Sequence, residues 1–408
     1  MVSPSILYSW GANSHGQLGT GDYRDRYTPT PITSNEVTLV GGGGGHSVIS
    51  DGFHVYTCGS NTHGELGRPG DPLHFLPVSF DFTEPITSIA CGWDYTLALT
   101  KNGTVYAWGS NHYGQLGIGE TIKHMSVPHV VQLPPVRSVA SGLRHSVAAT
   151  VSGEIYTWGS NRRGQLGPLT LDERQQSSKI VPYPTRVKLE DIDPTCSESY
   201  PQCSAGANHS AVITSGGSVI IWGDLTYLKT QFAHDMHTKT SHQPGCLRVP
   251  RTLFGDVPVV QLVSGWSHLA ALTDVGTVFT WGRSHLGQLA RQHSNTHLTQ
   301  YDPTPSLVQF PMLDRQSVCI AQLASGSEHV LAKDVSGQLY VWGWNEHGMC
   351  GLLQPDKTCT ITSKWTVKQP HPVHLTLSSQ SCKYPKITTI GAGYGHSFAL
   401  GRTDDDDH

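Results

Sequence analysis

The chain has 408 residues, of which 14% are charged and 44 are glycine, with a formal net charge of −4 at pH 7. Low charge with abundant glycine fits a turn-rich all-β protein better than a disordered or coiled one, and a mildly negative balance gives no general attraction for nucleic acid. The nine cysteines contain no C-x-x-C, which argues against a disulfide framework or a structural zinc site and for reduced thiols.

The first element is the apolar run 7–10, ending in Trp10-Gly11. No charged segment followed by an apolar one precedes it, and no stretch in the chain is long and apolar enough to cross a membrane, so a soluble protein of the cytoplasm, with the nucleus also open to it, is expected. Asn13 then opens the pattern Asn-x-x-Gly-Gln-Leu-Gly, in which the glycines supply unusual backbone angles and the leucine can plug the core. Near copies start at Asn61, Asn111 and Asn161, and partial ones cover 283–290 and 345–351. The copy after Trp222 has lost the pattern.

An aromatic or Cys residue followed by Gly recurs at Cys58, Trp108, Trp158, Trp222, Trp281 and Trp342, giving seven with Trp10. A second landmark, G-x-x-H, places His46, His145, His209, His268, His329 and His396, and Gly92-Trp93-Asp94-Tyr95 is its variant. From Tyr95, His145, His209, His268 and His329 the next Trp-Gly lies thirteen residues on. The two landmarks therefore belong to one repeating unit. Within units, 104–108 and its counterparts are apolar on both faces, as for sheets packed between sheets, and Asn102-Gly103, Ser152-Gly153, Gly216-Gly217, Val275-Gly276 and Ser336-Gly337 read as hairpin turns.

The last G-x-x-H has no Trp-Gly after it and the first Trp-Gly has no G-x-x-H before it. A closed ring resolves both orphans by pairing 397–400 with 7–10. The expectation is a single all-β domain over 1–408, a seven-bladed propeller of four-stranded antiparallel blades, with the closing blade shared by about 1–20 and 387–401 and an acidic tail at 402–408. Long polar connections at 167–204, 224–257, 290–323 and 351–387 are expected on a face or rim, where loops carry function.

No P-loop, G-x-G-x-x-G, H-E-x-x-H or G-x-S-x-G occurs, so no covalent chemistry and no cofactor is expected. The six repeat histidines are read as structural, each bridging backbone groups between strands, and His15, His63, His112, His285 and His347, in the loops after Trp-Gly, are expected to be spread around the ring without holding a metal. The residues between Gly and His are the candidate partner-binding set, because a repeated backbone displays them on one face. They include Trp93, Asp94, Arg144, Asn208, Trp266, Glu328 and Tyr394. The competing reading is that the Trp side chains fill the mouth of the central channel.

The run from Gly142-Leu143-Arg144-His145-Ser146 through Tyr156-Thr157-Trp158-Gly159-Ser160-Asn161 to Gly164-Gln165-Leu166-Gly167 resembles the repeat of the regulator of chromosome condensation family, whose members are seven-bladed propellers. Cys91-Gly92-Trp93-Asp94, Gly326-Ser327-Glu328-His329 and 342–351 look most like a short subgroup that includes the secretion-regulating guanine nucleotide exchange factors of animals and the alpha-tubulin suppressor of yeasts. The resemblance implies two functions. One is an adaptor, expected as a monomer, for a small metal-binding protein serving diphthamide synthesis and wobble-uridine modification of tRNA. The other is nucleotide exchange on a small Ras- or Ran-type GTPase, with Asp94 and Glu328 at acidic docking places; the family's exchange wedge, an insertion in an early blade, has no clear counterpart. A plant ultraviolet-B photoreceptor branch uses clustered Trp at such positions, whereas Trp93 and Trp266 are separated here by intervening blades, so light sensing is not expected.

Overall fold

The computed structural model describes residues 5–32, 36–170, 178–189, 200–229, 245–291, 300–311, 318–352, 366–375 and 385–402; parts of the four late connections and the acidic run 404–407 lie outside them. Seven four-stranded antiparallel sheets follow one another around a ring. We number the blades by the G-x-x-H element each contains, from His46 in blade one to His396 in blade seven. Blade three is typical: Val136–Ser141, His145–Thr150, Ile155–Ser160 and Ile180–Arg186 run in order from the channel outward. First strands of successive blades touch in an unbroken circuit, so they line the central channel.

The ring closes as the orphan landmarks require. Ser5–Gly11 pairs with His396–Arg402, Leu7 opposite Leu400 and Trp10 opposite Ser397, so blade seven is built from both ends of the chain. Hairpin glycines Gly103, Gly153, Gly217, Gly276 and Gly337 all have positive φ, between 78° and 89°. The late connections differ from a plain insertion in one respect: each carries the fourth, outermost strand of its blade, including Ile180–Arg186, Cys246–Val249, Tyr301–Leu307 and Thr366–Val373.

Blade packing rests on three repeated contacts. Trp10, Trp108, Trp158, Trp222, Trp281 and Trp342 are fully buried, and each indole is worth about 3–5 kcal/mol against truncation to alanine. The indole N–H needs an acceptor, and it finds the carbonyl at the Gln position of the preceding blade's Gly-Gln-Leu-Gly: Trp108 donates to Glu65 O at 2.8 Å, Trp158 to Gln115 O at 2.8 Å, Trp222 to Gln165 O at 3.0 Å, Trp342 to Gln288 O at 2.9 Å and Trp10 to Met349 O at 2.9 Å. The Ser after the repeat His donates to the same carbonyl, as Ser47 does to Gln17, Ser210 to Gln165 and Ser397 to Met349.

That serine also meets a histidine of the preceding blade. Nε2 lies 2.8 Å from the hydroxyl in His396–Ser47, 3.0 Å in His145–Ser210 and 2.9 Å in His329–Ser397, and His46 meets Thr96 at 2.9 Å. Because the serine proton already goes to the carbonyl, the imidazole must donate from Nε2 at His145, His329 and His396; Nδ1 has no partner among the described residues there or at His46. The bridge therefore corrects the sequence reading: it runs through one ring nitrogen to a side-chain hydroxyl and not through both to backbone groups. Tyr95 keeps the link where His is replaced, since Ser146 Oγ donates to its hydroxyl at 3.1 Å.

The junction of blades four and five lacks both contacts. Leu269 stands where the serine would be, the loop after Trp222 has lost Gly-Gln-Leu-Gly, and the buried His209 Nε2 and Trp281 Nε1 have no partner among the described residues. The lost motif visible in the sequence is thus one end of a lost latch.

Candidate functional site

The G-x-x-H turns end the first strands at one mouth of the channel. Backbone hydrogen bonds link these turns at five of the blade junctions: Gly44 N to Trp93 O at 2.9 Å, Ala207 to Trp266 at 3.2 Å, Trp266 to Ser327 at 2.8 Å, Ser327 to Tyr394 at 3.1 Å and Tyr394 to the turn glycine Gly43 at 3.0 Å. The mouth is therefore a pinned rim that fixes where each side chain starts.

Trp93, Trp266 and Tyr394 converge on the axis. Their ring centroids form a triangle, 6.2 Å from Trp93 to Trp266, 5.6 Å from Trp93 to Tyr394 and 6.0 Å from Trp266 to Tyr394. The expected separation of Trp93 and Trp266 is overturned, because blades that are distant around the ring face one another across a narrow channel. With it falls the ground on which light sensing was set aside, although three rings facing one axis make such contacts as ordinary packing. The trio does fill the mouth, yet Trp93 stays 44% exposed and offers an indole to solvent. Trp266→Phe should remove the exciton couplet of the tryptophan pair from the far-ultraviolet circular dichroism difference spectrum while leaving the thermal midpoint near that of the parent; an unchanged spectrum would mean that the rings are not held together.

The remaining candidates have separate surroundings. Asp94 is half-buried, with Gln115 Nε2 3.4 Å from one oxygen and His63 Nδ1 3.9 Å from the other. Arg144 is exposed and lies over the Tyr113 ring, its guanidinium carbon 4.5 Å from the centroid. Asn208 meets Gln165 Nε2 at 3.5 Å. Glu328 is only 3% exposed and accepts from Gln288 Nε2 at 2.6 Å and from Arg283 at 3.1 Å. Burial raises its carboxyl pKa, and the Gln288 and Arg283 contacts pull it back. Glu328 is therefore a tied structural acid and not one of the freely displayed side chains the repeat pattern suggests.

Beside the trio the face sinks into a depression of roughly 470 Å³, whose lining includes His15, Glu65, Trp93, Asp94, Trp344 and Tyr394. Blade one contributes to it by placing two glycines, Gly44 and Gly45, where every other blade places at least one side chain. A Cβ on Gly44 would strike Trp93 at 2.8 Å, and one on Gly45 would crowd His15 at 3.1 Å. The loop histidines are less dispersed than their spacing suggests: His15, His63 and His347 line this one depression, and the His63 and His112 rings meet edge-on at 5.4 Å. His347 is held by Asp25 at 2.9 Å. Among the described residues no three His, Cys, Asp or Glu side chains are grouped to hold a metal ion. The depression, with Glu65, the loop histidines and Trp344, was not legible as a site, since its members come from turns and loops of five blades.

Comparison with known proteins agrees with this architecture. The family model described as the RCC1-like domain matches residues 6–399. The chain is 34% identical over 417 residues to the secretion-regulating guanine nucleotide exchange factor of Mus musculus, covering 97% of this chain and 83% of the relative. It is 31% identical to the ultraviolet-B receptor UVR8 of Arabidopsis thaliana, over 98% of this chain and 71% of the relative. Among solved structures, Prp20p of Saccharomyces cerevisiae, described with its binding properties to Gsp1p and histones, superposes with a TM-score of 0.77 at 20% identity, over all of this chain and 93% of that one. With the seven closed blades, the repeated Trp–carbonyl contacts and a family match over almost its whole length, this chain belongs to the RCC1-like propeller family.

Proposed function

We propose that this protein is a non-catalytic interaction propeller that works as a regulatory adaptor and receives its partner on the G-x-x-H face. The observation that carries the reading is the aromatic trio at the centre of that face, with Trp93 exposed on a pinned rim beside a depression. Rigid aromatic anchors at the centre of a patch are the usual source of binding energy, and nothing in such a site requires bonds to be broken. The partner class implied by the family resemblance is a small metal-binding protein of diphthamide synthesis and tRNA wobble-uridine modification.

A second reading, guanine nucleotide exchange, is favoured by the names of two relatives, from Mus musculus and Bos taurus, each 34% identical to this chain. Exchange also needs no covalent chemistry, only tighter binding to the nucleotide-free GTPase than to the loaded one. Asp94 is available to dock such a partner, but Glu328 is engaged by Arg283 and Gln288. Purification of the tagged protein from native cytosol, with Mg²⁺ and GTP or with EDTA, separates the two. Nucleotide-insensitive recovery of a small metal protein or of modification enzymes is the expected result; a small GTPase held only in EDTA would replace the adaptor with an exchange factor. Trp93→Ala should weaken the recovered complex by about 2 kcal/mol or more. Unchanged affinity would move the interface to another face.

A further inference from the structure

We propose that the mouth depression is a receptor for an arginine side chain of a protein partner, stacked on Trp93 and paired with Asp94. This rests on the reading that the G-x-x-H face is the binding face, and it names what that face recognises.

The protein's own arginines show the pattern. In blade six the second variable residue of G-x-x-H is Glu328, and it accepts from Arg283, two residues after Trp281 in the preceding blade, at 3.1 Å; the same guanidinium lies 5.8 Å from the centroid of Tyr227. Blade two has Asp94 at the matching place in its repeat, with the Trp93 indole beside it. Two residues after Cys58, where blade one would supply the equivalent of Arg283, stands Ser60. Acid and aromatic are present and the internal guanidinium is not. Among the described residues no Lys or Arg lines the depression, and Arg144, the exposed arginine of the next blade, is stacked on Tyr113.

The chemistry selects the occupant. A guanidinium is flat, stays charged and can stack on an indole while donating in-plane hydrogen bonds to a carboxylate, a combination that neither a neutral nor an anionic group reproduces. Nucleic acid fits poorly here: its bases could stack on Trp93, but its phosphates would face Asp94 and Glu65 with no Lys or Arg among the described lining residues. The roughly 470 Å³ of open space, to which Gly44 and Gly45 contribute, is ample for one side chain entering from a loop.

The test uses the whole protein and a blocked Gly-Arg-Gly tripeptide, with tryptophan fluorescence as the readout and the citrulline tripeptide, isosteric but uncharged, as its control. Saturable binding of the arginine peptide, weakened about tenfold or more by citrulline and by the near-isosteric Asp94→Asn, is expected. Ser60→Arg should restore the missing internal guanidinium and abolish peptide binding, with the folded circular dichroism spectrum retained. Equal affinity for citrulline, an unaffected Asp94→Asn, or no saturation up to about 20 mM would overturn the proposal. The two readings fail separately. Peptide binding with partner recovery unmoved by Trp93→Ala would remove the face as the partner's dock and leave the arginine site, whereas Trp93-dependent recovery without peptide binding would keep the dock and remove the arginine.

Discussion

Gly142→Ala should destabilise the ring by about 3 kcal/mol or more, at the upper end of what overpacking costs. A Cβ at Gly142 would lie 2.2 Å from His145 Cε1 and 2.5 Å from the Gly206 carbonyl oxygen, far closer than van der Waals contact allows. Neither neighbour can retreat. His145 is fully buried and tied to Ser210 of the next blade, and the Gly206 carbonyl is backbone of that blade's own G-x-x-H turn. The same geometry recurs at Gly206, Gly265, Gly326 and Gly393, each with its own histidine ring in the way, which is why the landmark begins with glycine although these residues do not need positive φ. Urea midpoints would be compared with Gly70→Ala, where φ is +95° and no atom lies within 4 Å of the new methyl group. That control carries backbone strain alone, of order 1 kcal/mol. If Gly142→Ala loses no more than the control, the histidine ring can shift and the latch is not rigid.

Acid should unfold the propeller steeply between about pH 6.5 and pH 4. Burial lowers the imidazole pKa of His46 and His209 to about 4 and that of His145, His268, His329 and His396 to about 3. The geometry explains why His145, His329 and His396 resist protonation: Nε2 already carries the proton that bridges to the next blade, and a second proton on Nδ1 would have no acceptor among the described residues; His209, whose Nε2 has no partner among the described residues, is kept neutral by burial alone. In the unfolded chain each histidine titrates near 6.5. Above that pH neither state takes up a proton, so the stability is fully present. Below it the unfolded state binds protons that the folded state refuses, and stability falls by roughly 1.4 kcal/mol per pH unit for each histidine until the folded pKa is reached. Denaturation midpoints across pH 7.5 to 4 would show the slope, and His329→Gln should reduce it by one proton. A midpoint that stays level from pH 7 to pH 5 would mean that these rings are solvated or charged in the fold.

The architecture was readable because every signal that builds it is local and repeated. Hairpin glycines, the thirteen-residue step from G-x-x-H to Trp-Gly and the complementary orphans at the two ends specify strand order, and Leu7 does meet Leu400. Even the junction of blades four and five was marked, since the missing motif after Trp222 coincides with a Trp281 indole that has no partner among the described residues. The site was only half readable. Its members could be picked as the variable residues of a fixed turn, but spacing along the chain measures distance around the ring and carries nothing about distance across the channel. Only the closed tertiary structure brings Trp93, Trp266 and Tyr394 within about 6 Å of one another, ties Glu328 to Arg283 and leaves Asp94 without such a partner because Ser60 stands in the corresponding place. The sequence alone determined the number of blades and their closure, through short-range backbone preferences repeated seven times. Which side chains meet at the mouth, and which remain free to bind, was decided by curvature: residues tens or hundreds of positions apart face one axis once the sheets close around it.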